Sequence, residues 1–80
     1  LKVAKMYAIS CEILDDKTTI EFMWDCPYCH YTNEEYQVDN DIHDGDEITF
    51  ITPCLECGKK AIVNSEGPIE VIDLDAPYRD

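Results

Sequence analysis

Eighty residues carrying 18 acidic and only 6 basic side chains, a formal charge of −12, bound this chain to one small acidic domain. A chain this short seldom gains more than about 3–5 kcal/mol from an apolar core, so a staple of disulfides or metal is expected. The charge repels nucleic-acid phosphates and favours protein partners with basic surfaces. No run approaches the roughly 18 apolar residues of a membrane span.

In chain order, Val3, Tyr7, Ile9, Cys11 and Ile13 share one parity, and this spacing predicts a strand over residues 3–14. Asp15-Asp16-Lys17 reads as a turn. From Thr18 to Asp25 the alternation resumes, with Thr18, Ile20, Phe22 and Trp24 on one face, so residues 3–25 are expected to form a hairpin. A polar strand is expected over residues 30–38. An acidic loop follows from Asp39 to Asp46, with Asp44-Gly45 near its tip. Further strands are expected at residues 47–52, 59–63 and 69–74, with a turn over residues 64–68. No window keeps a helical period over three turns. The expected fold is a small all-β, metal-stabilised domain over residues 1–75, followed by a tail over 76–80.

Two Cys-x-x-Cys pairs stand out: Cys26 and Cys29, then, after 24 residues, Cys54 and Cys57. Two residues between cysteines let a tight turn aim both sulfurs at one point. Two such turns supply the four tetrahedral ligands of a structural zinc ion. Gly58 follows the second pair, where a positive φ is easiest without a Cβ. His30 follows the first pair, so that turn is either strained or differently shaped. His30 and His43 are expected to be solvated loop histidines. Four protein ligands close the shell, so the ion is structural and the chain is not expected to be an enzyme. Disulfides are disfavoured because five is an odd count, leaving Cys11 over. No basic segment followed by an apolar run is visible, so a reducing intracellular compartment is expected.

Cys26-Pro27-Tyr28-Cys29 and Cys54-Leu55-Glu56-Cys57-Gly58 resemble the zinc-ribbon superfamily over about residues 20–64. That resemblance implies two antiparallel hairpins around one Zn2+, here extended by an N-terminal hairpin and a C-terminal strand. Cys26-Pro27-Tyr28-Cys29 alone resembles the glutaredoxin motif, but residues 30–36 offer no apolar face for the helix that fold requires. Rubredoxins hold iron on two similar turns, so iron is the rival metal. The 24-residue gap is similar to that of the transcript-cleavage elongation factors of the IIS type. In those, an Asp-Glu pair on the long hairpin enters RNA polymerase, and Asp46-Glu47 lies in the corresponding stretch.

The resulting expectation is an acidic interaction module, a regulator or accessory subunit docking on a basic surface of a nucleic-acid-handling machine. Asp39, Asp41, Asp44, Asp46, Glu47 and Trp24 are its candidate contact residues, drawn partly from the seven acids between Glu34 and Glu47. Phe22 is expected in the core. The alternatives are a nucleic-acid mimic that blocks a DNA- or RNA-binding protein, and a polymerase accessory acting through Asp46-Glu47.

Overall fold

The computed structural model describes residues 1–75; the expected tail over 76–80 lies outside the described residues. These residues form seven strands: β1 (Val3–Lys5), β2 (Tyr7–Leu14), β3 (Lys17–Asp25), β4 (Thr32–Val38), β5 (Thr49–Pro53), β6 (Lys60–Asn64) and β7 (Val71–Asp73). There is no helix among the described residues. One sheet has the order β4-β3-β2-β7 and the other β1-β6-β5. The all-β class is as expected, but the pairing adds two parallel contacts, β1 with β6 and β2 with β7.

Strand β3 organises the core. Its alternation buries Thr18, Ile20, Phe22 and Trp24 on one face, as a half-solvated antiparallel sheet requires. Phe22 lies parallel to Phe50 of β5 with centroids 5.6 Å apart, locking one sheet over the other. Trp24 is fully buried. It is therefore a core residue, not the surface contact considered above. Its indole N–H donates to Glu35 Oε1 at 3.1 Å, and Thr52 Oγ1 on β5 donates to the same oxygen at 2.6 Å. Gln37 Nε2 donates to Oε2 at 3.0 Å. Glu35 is thus spent on joining the sheets, which explains a carboxylate on the inner face of β4. The polar inner face of that strand, Asn33, Glu35 and Gln37, made it read only as polar.

The expected strand over residues 3–14 is in fact two. Val3–Lys5 joins the small sheet beside β6. The chain then buries Met6 and enters β2 in the other sheet. Counting parity across residues 3–13 fails at this crossing. It fails again at a bulge, where β2 takes three steps from Tyr7 to Ser10 while β3 takes two from Met23 to Glu21. Ala8 absorbs the extra residue at φ 51°.

Two acidic segments are also more ordered than their composition implies. Asp15 and Asp16 both adopt left-handed φ, 53° and 61°, in the two-residue β2–β3 turn. The Asp75 carboxylate receives both of their amides, at 2.9 and 2.7 Å. These donors, Asp16 first and then Asp15, hold the Asp75 carboxyl below the usual carboxylate range. The second segment, residues 39–48, links two strands in different sheets, so it is not the tip of one long hairpin. Ile42 is buried at its centre, and Gly45 and Asp46 pair through the main chain with Ile69.

Candidate metal centre

Each Cys-x-x-Cys segment closes a hairpin, β3–β4 for Cys26 and Cys29, β5–β6 for Cys54 and Cys57. The two turns are built alike. Cys26 N donates to Tyr31 O at 2.8 Å and His30 N returns to Cys26 O at 2.9 Å. In the second turn, Cys54 N donates to Lys59 O at 3.0 Å and Gly58 N to Cys54 O at 2.9 Å. The residue after each pair takes a left-handed conformation, His30 at φ 68° and Gly58 at φ 76°. The first turn therefore has the ordinary shape and carries the strain of a Cβ in that region.

Because the sheets stack, the two turns face each other. All four sulfurs lie within 4.8 Å of one another. Cys26 Sγ is 3.7 Å from Cys57 Sγ, and Cys29 Sγ is 3.7 Å from Cys54 Sγ. A tetrahedron with metal–sulfur bonds near 2.3 Å has edges of about 3.8 Å, whereas a disulfide needs about 2.05 Å. The four side chains are therefore placed to hold one metal ion. His30 and His43 are not part of this cluster, nor is Cys11, which is buried in β2. Burial, helped by the nearby Glu12 charge, pushes the Cys11 thiol up.

The local hydrogen bonds already favour thiolates on the two inner cysteines. Burial opposes ionisation of Cys54, but N–H groups of Cys57, Asn33 and Glu56 outweigh it and bring the group down to about 6. Cys26 is lowered in the same way, burial being overcome by the Cys29 and Tyr28 amides, at 3.5 and 3.4 Å. The Tyr31 amide favours the Cys29 thiolate, yet burial and the three neighbouring sulfurs prevail and push it up to about 12. Four thiols this close cannot all ionise unaided. A cation removes that conflict, so the donor set fits a soft divalent ion.

Asn33 was not singled out in the sequence. It is fully buried on β4, and its Nδ2 lies 3.5 Å from Cys54 Sγ while its Oδ1 receives Leu55 N at 2.9 Å. A side chain from the first hairpin thus braces the second turn. Only the register pairing Asn33 with Trp24 shows that it faces inward. Nearby, Asp25 receives Tyr7 Oη at 2.7 Å and Thr32 Oγ1 at 2.8 Å, tying β2 and β4 to β3 at the edge of the first turn. These two donors hold the Asp25 carboxyl low. Tyr28 is flanked by the ammonium groups of Lys2 and Lys59, 5.4 and 5.2 Å from its ring centre.

The candidate acidic contacts separate into two kinds. Asp39 receives Asp41 N at 3.0 Å, Asp44 receives Val71 N at 2.8 Å and Asp46 receives His43 N at 2.9 Å. These carboxylates shape their own loop. Asp41 and Glu47 are exposed. Asp46 is half-buried, and Asp46-Glu47 lies on a connection between sheets, unlike the hairpin pair of the polymerase factors.

Replacing His30 by Gly is expected to preserve metal content and raise stability by up to about 1 kcal/mol. Relief of the left-handed Cβ outweighs the extra freedom of Gly in the unfolded chain. Thermal unfolding of the metal-loaded protein measures this, and loss of metal on the same change would instead make His30 a ligand. Compared with known proteins, the chain matches no protein-family model, no curated protein and no solved structure.

Proposed function

We propose that this chain is a zinc-ribbon-type interaction module. One structural Zn2+ on Cys26, Cys29, Cys54 and Cys57 holds a β platform whose acidic side docks a basic surface of a partner protein. In this reading it is a regulator or accessory subunit of a nucleic-acid-handling machine. A closed shell of four thiolates leaves no position for substrate or water, so the module binds and does not catalyse.

The observation that carries this reading is the segregation of charge. Of the five bases among residues 1–75, Lys2, Lys5, Lys59 and Lys60 lie on or beside the three-stranded sheet, where Glu56 sits between β5 and β6 and Glu66, just past β6, pairs with Lys5 at 3.0 Å. The other fifteen described acids, with Lys17, belong to the four-stranded sheet and the connections leading to or from it. A field this one-sided speeds encounter with a basic partner and repels wrong ones.

Two measurements test the reading. Elemental analysis is expected to give one zinc per chain in a colourless protein; a red sample would assign iron. Association with the partner recovered from the native host is expected to slow as salt rises, because screening shortens the field to about 8 Å near physiological ionic strength. Asn at positions 39, 41, 44 and 46 retains an acceptor oxygen and is expected to slow association further without loss of metal. Binding indifferent to both salt and these changes would overturn acidic docking. A partner displaced by DNA or RNA in competition would make the protein a nucleic-acid mimic.

A further inference from the structure

The exposed face of the four-stranded sheet is not flat. At the bulge in β2, Ala8 turns out of register and the sheet opens into a hollow of about 360 Å³. Its walls include Glu21 and Met23 of β3 and Glu34 and Tyr36 of β4. The register sets Glu21 opposite Tyr36 and Met23 opposite Glu34, so the two carboxylates sit diagonally across a thioether and a phenol ring. Glu21, Glu34 and Tyr36 are all exposed, Tyr36 at 61%. Neither glutamate has an ion-pair partner among the described residues. Here, unlike Glu35 or the loop aspartates, the carboxylates hold nothing of the protein's own.

We infer that this hollow seats an arginine or lysine side chain of an extended basic segment of the partner protein. The inference rests on the acidic-docking reading above and locates it on the sheet face, away from the loop. The chemistry is complementary at each point. Glu21 and Glu34 supply opposed charge, the Tyr36 ring offers a face to the cation, and Met23 packs against its aliphatic stem. Exposed Val38 and Ile72 on the same sheet, 55% and 50% accessible, extend the surface along which the rest of the segment lies. Bulges commonly sit where a strand must make such room.

The test uses the metal-loaded chain and a fluorescent peptide of alternating Arg and Thr, seven residues long. Amide shifts on titration are expected at Ala8, Met23 and Glu34 to Tyr36. Replacing both Glu21 and Glu34 by Gln is expected to weaken binding about tenfold at low salt, the sum of two partly exposed charge pairs. Tyr36→Ala, which changes no charge, is expected to weaken it about threefold. The paired control Glu56→Gln with Glu70→Gln removes the same charge from exposed acids outside the hollow and is expected to cost less than about twofold. Equal losses from the sheet pair and the control pair would overturn the hollow as the site while leaving acidic docking intact. No binding at low salt, or shifts confined to the three-stranded sheet, would overturn both.

Discussion

Removal of the metal by a strong chelator is expected to unfold the chain. The two hairpins meet at the four sulfurs, and metal binding there is free energy available only to the folded state. For structural zinc that term is about 10–16 kcal/mol in small domains at neutral pH. It exceeds the roughly 3–5 kcal/mol a core of this size supplies. Cys26→Ser and Cys57→Ser are expected to act like the chelator, because each removes a thiolate from a different turn. Cys11→Ser is expected to leave metal content unchanged, since that thiol lies outside the cluster. The metal is also expected to be released as pH falls, because protons compete for the thiolates and the unfolded chain takes them up. Circular dichroism and elemental analysis on the same samples decide the matter. A metal-free chain that keeps its strands would overturn the metal-stabilised reading.

Asn33→Ala is expected to weaken metal binding while sparing all four cysteines. It strips Leu55 N–H of its acceptor in a partly buried place and Cys54 Sγ of a donor in a buried one. Loss of the partly buried Leu55 bond costs about 0.5–1.5 kcal/mol, and loss of a group that orients a ligand lowers metal affinity about 10–100-fold. Competition against a chromophoric chelator measures the second effect apart from the first. Asn33→Asp separates the two bonds, because Asp still accepts from Leu55 N–H but sets a carboxylate beside the thiolate. It is expected to bind metal no better than Asn33→Ala. Affinity restored by Asp would show that the Leu55 bond alone matters.

The different fates of similar residues show how far local pattern reaches. Glu35 and Glu34 are neighbours in sequence, yet one is clamped by Trp24, Gln37 and Thr52 and the other is exposed. Asp46 and Glu47 are likewise adjacent, and only Asp46 holds an amide, that of His43. Composition reports these acids as one cluster. The register of β4 and the fold of the 39–48 connection sort them into internal fasteners and surface charge.

Local pattern was enough for the all-β class and for the four cysteines that are brought together. Both are local signals: period-two alternation in β3, and two short spacings that fold into the same turn whatever surrounds them. It also placed Phe22 in the core, because strict alternation from Thr18 to Trp24 leaves one choice of face. Tertiary structure alone decided that residues 3–5 leave for a second sheet, that β1 and β7 pair in parallel, and that Asn33 braces a turn 22 residues away. It decided as well that Glu35 and Thr52 close over Trp24, on the same face of β3 as Phe22, and that the bulge at Ala8 opens the other face. Each of these depends on which strands meet across the stacked sheets. Such pairings are long-range contacts between segments with no shared local pattern, so no window of sequence contains them.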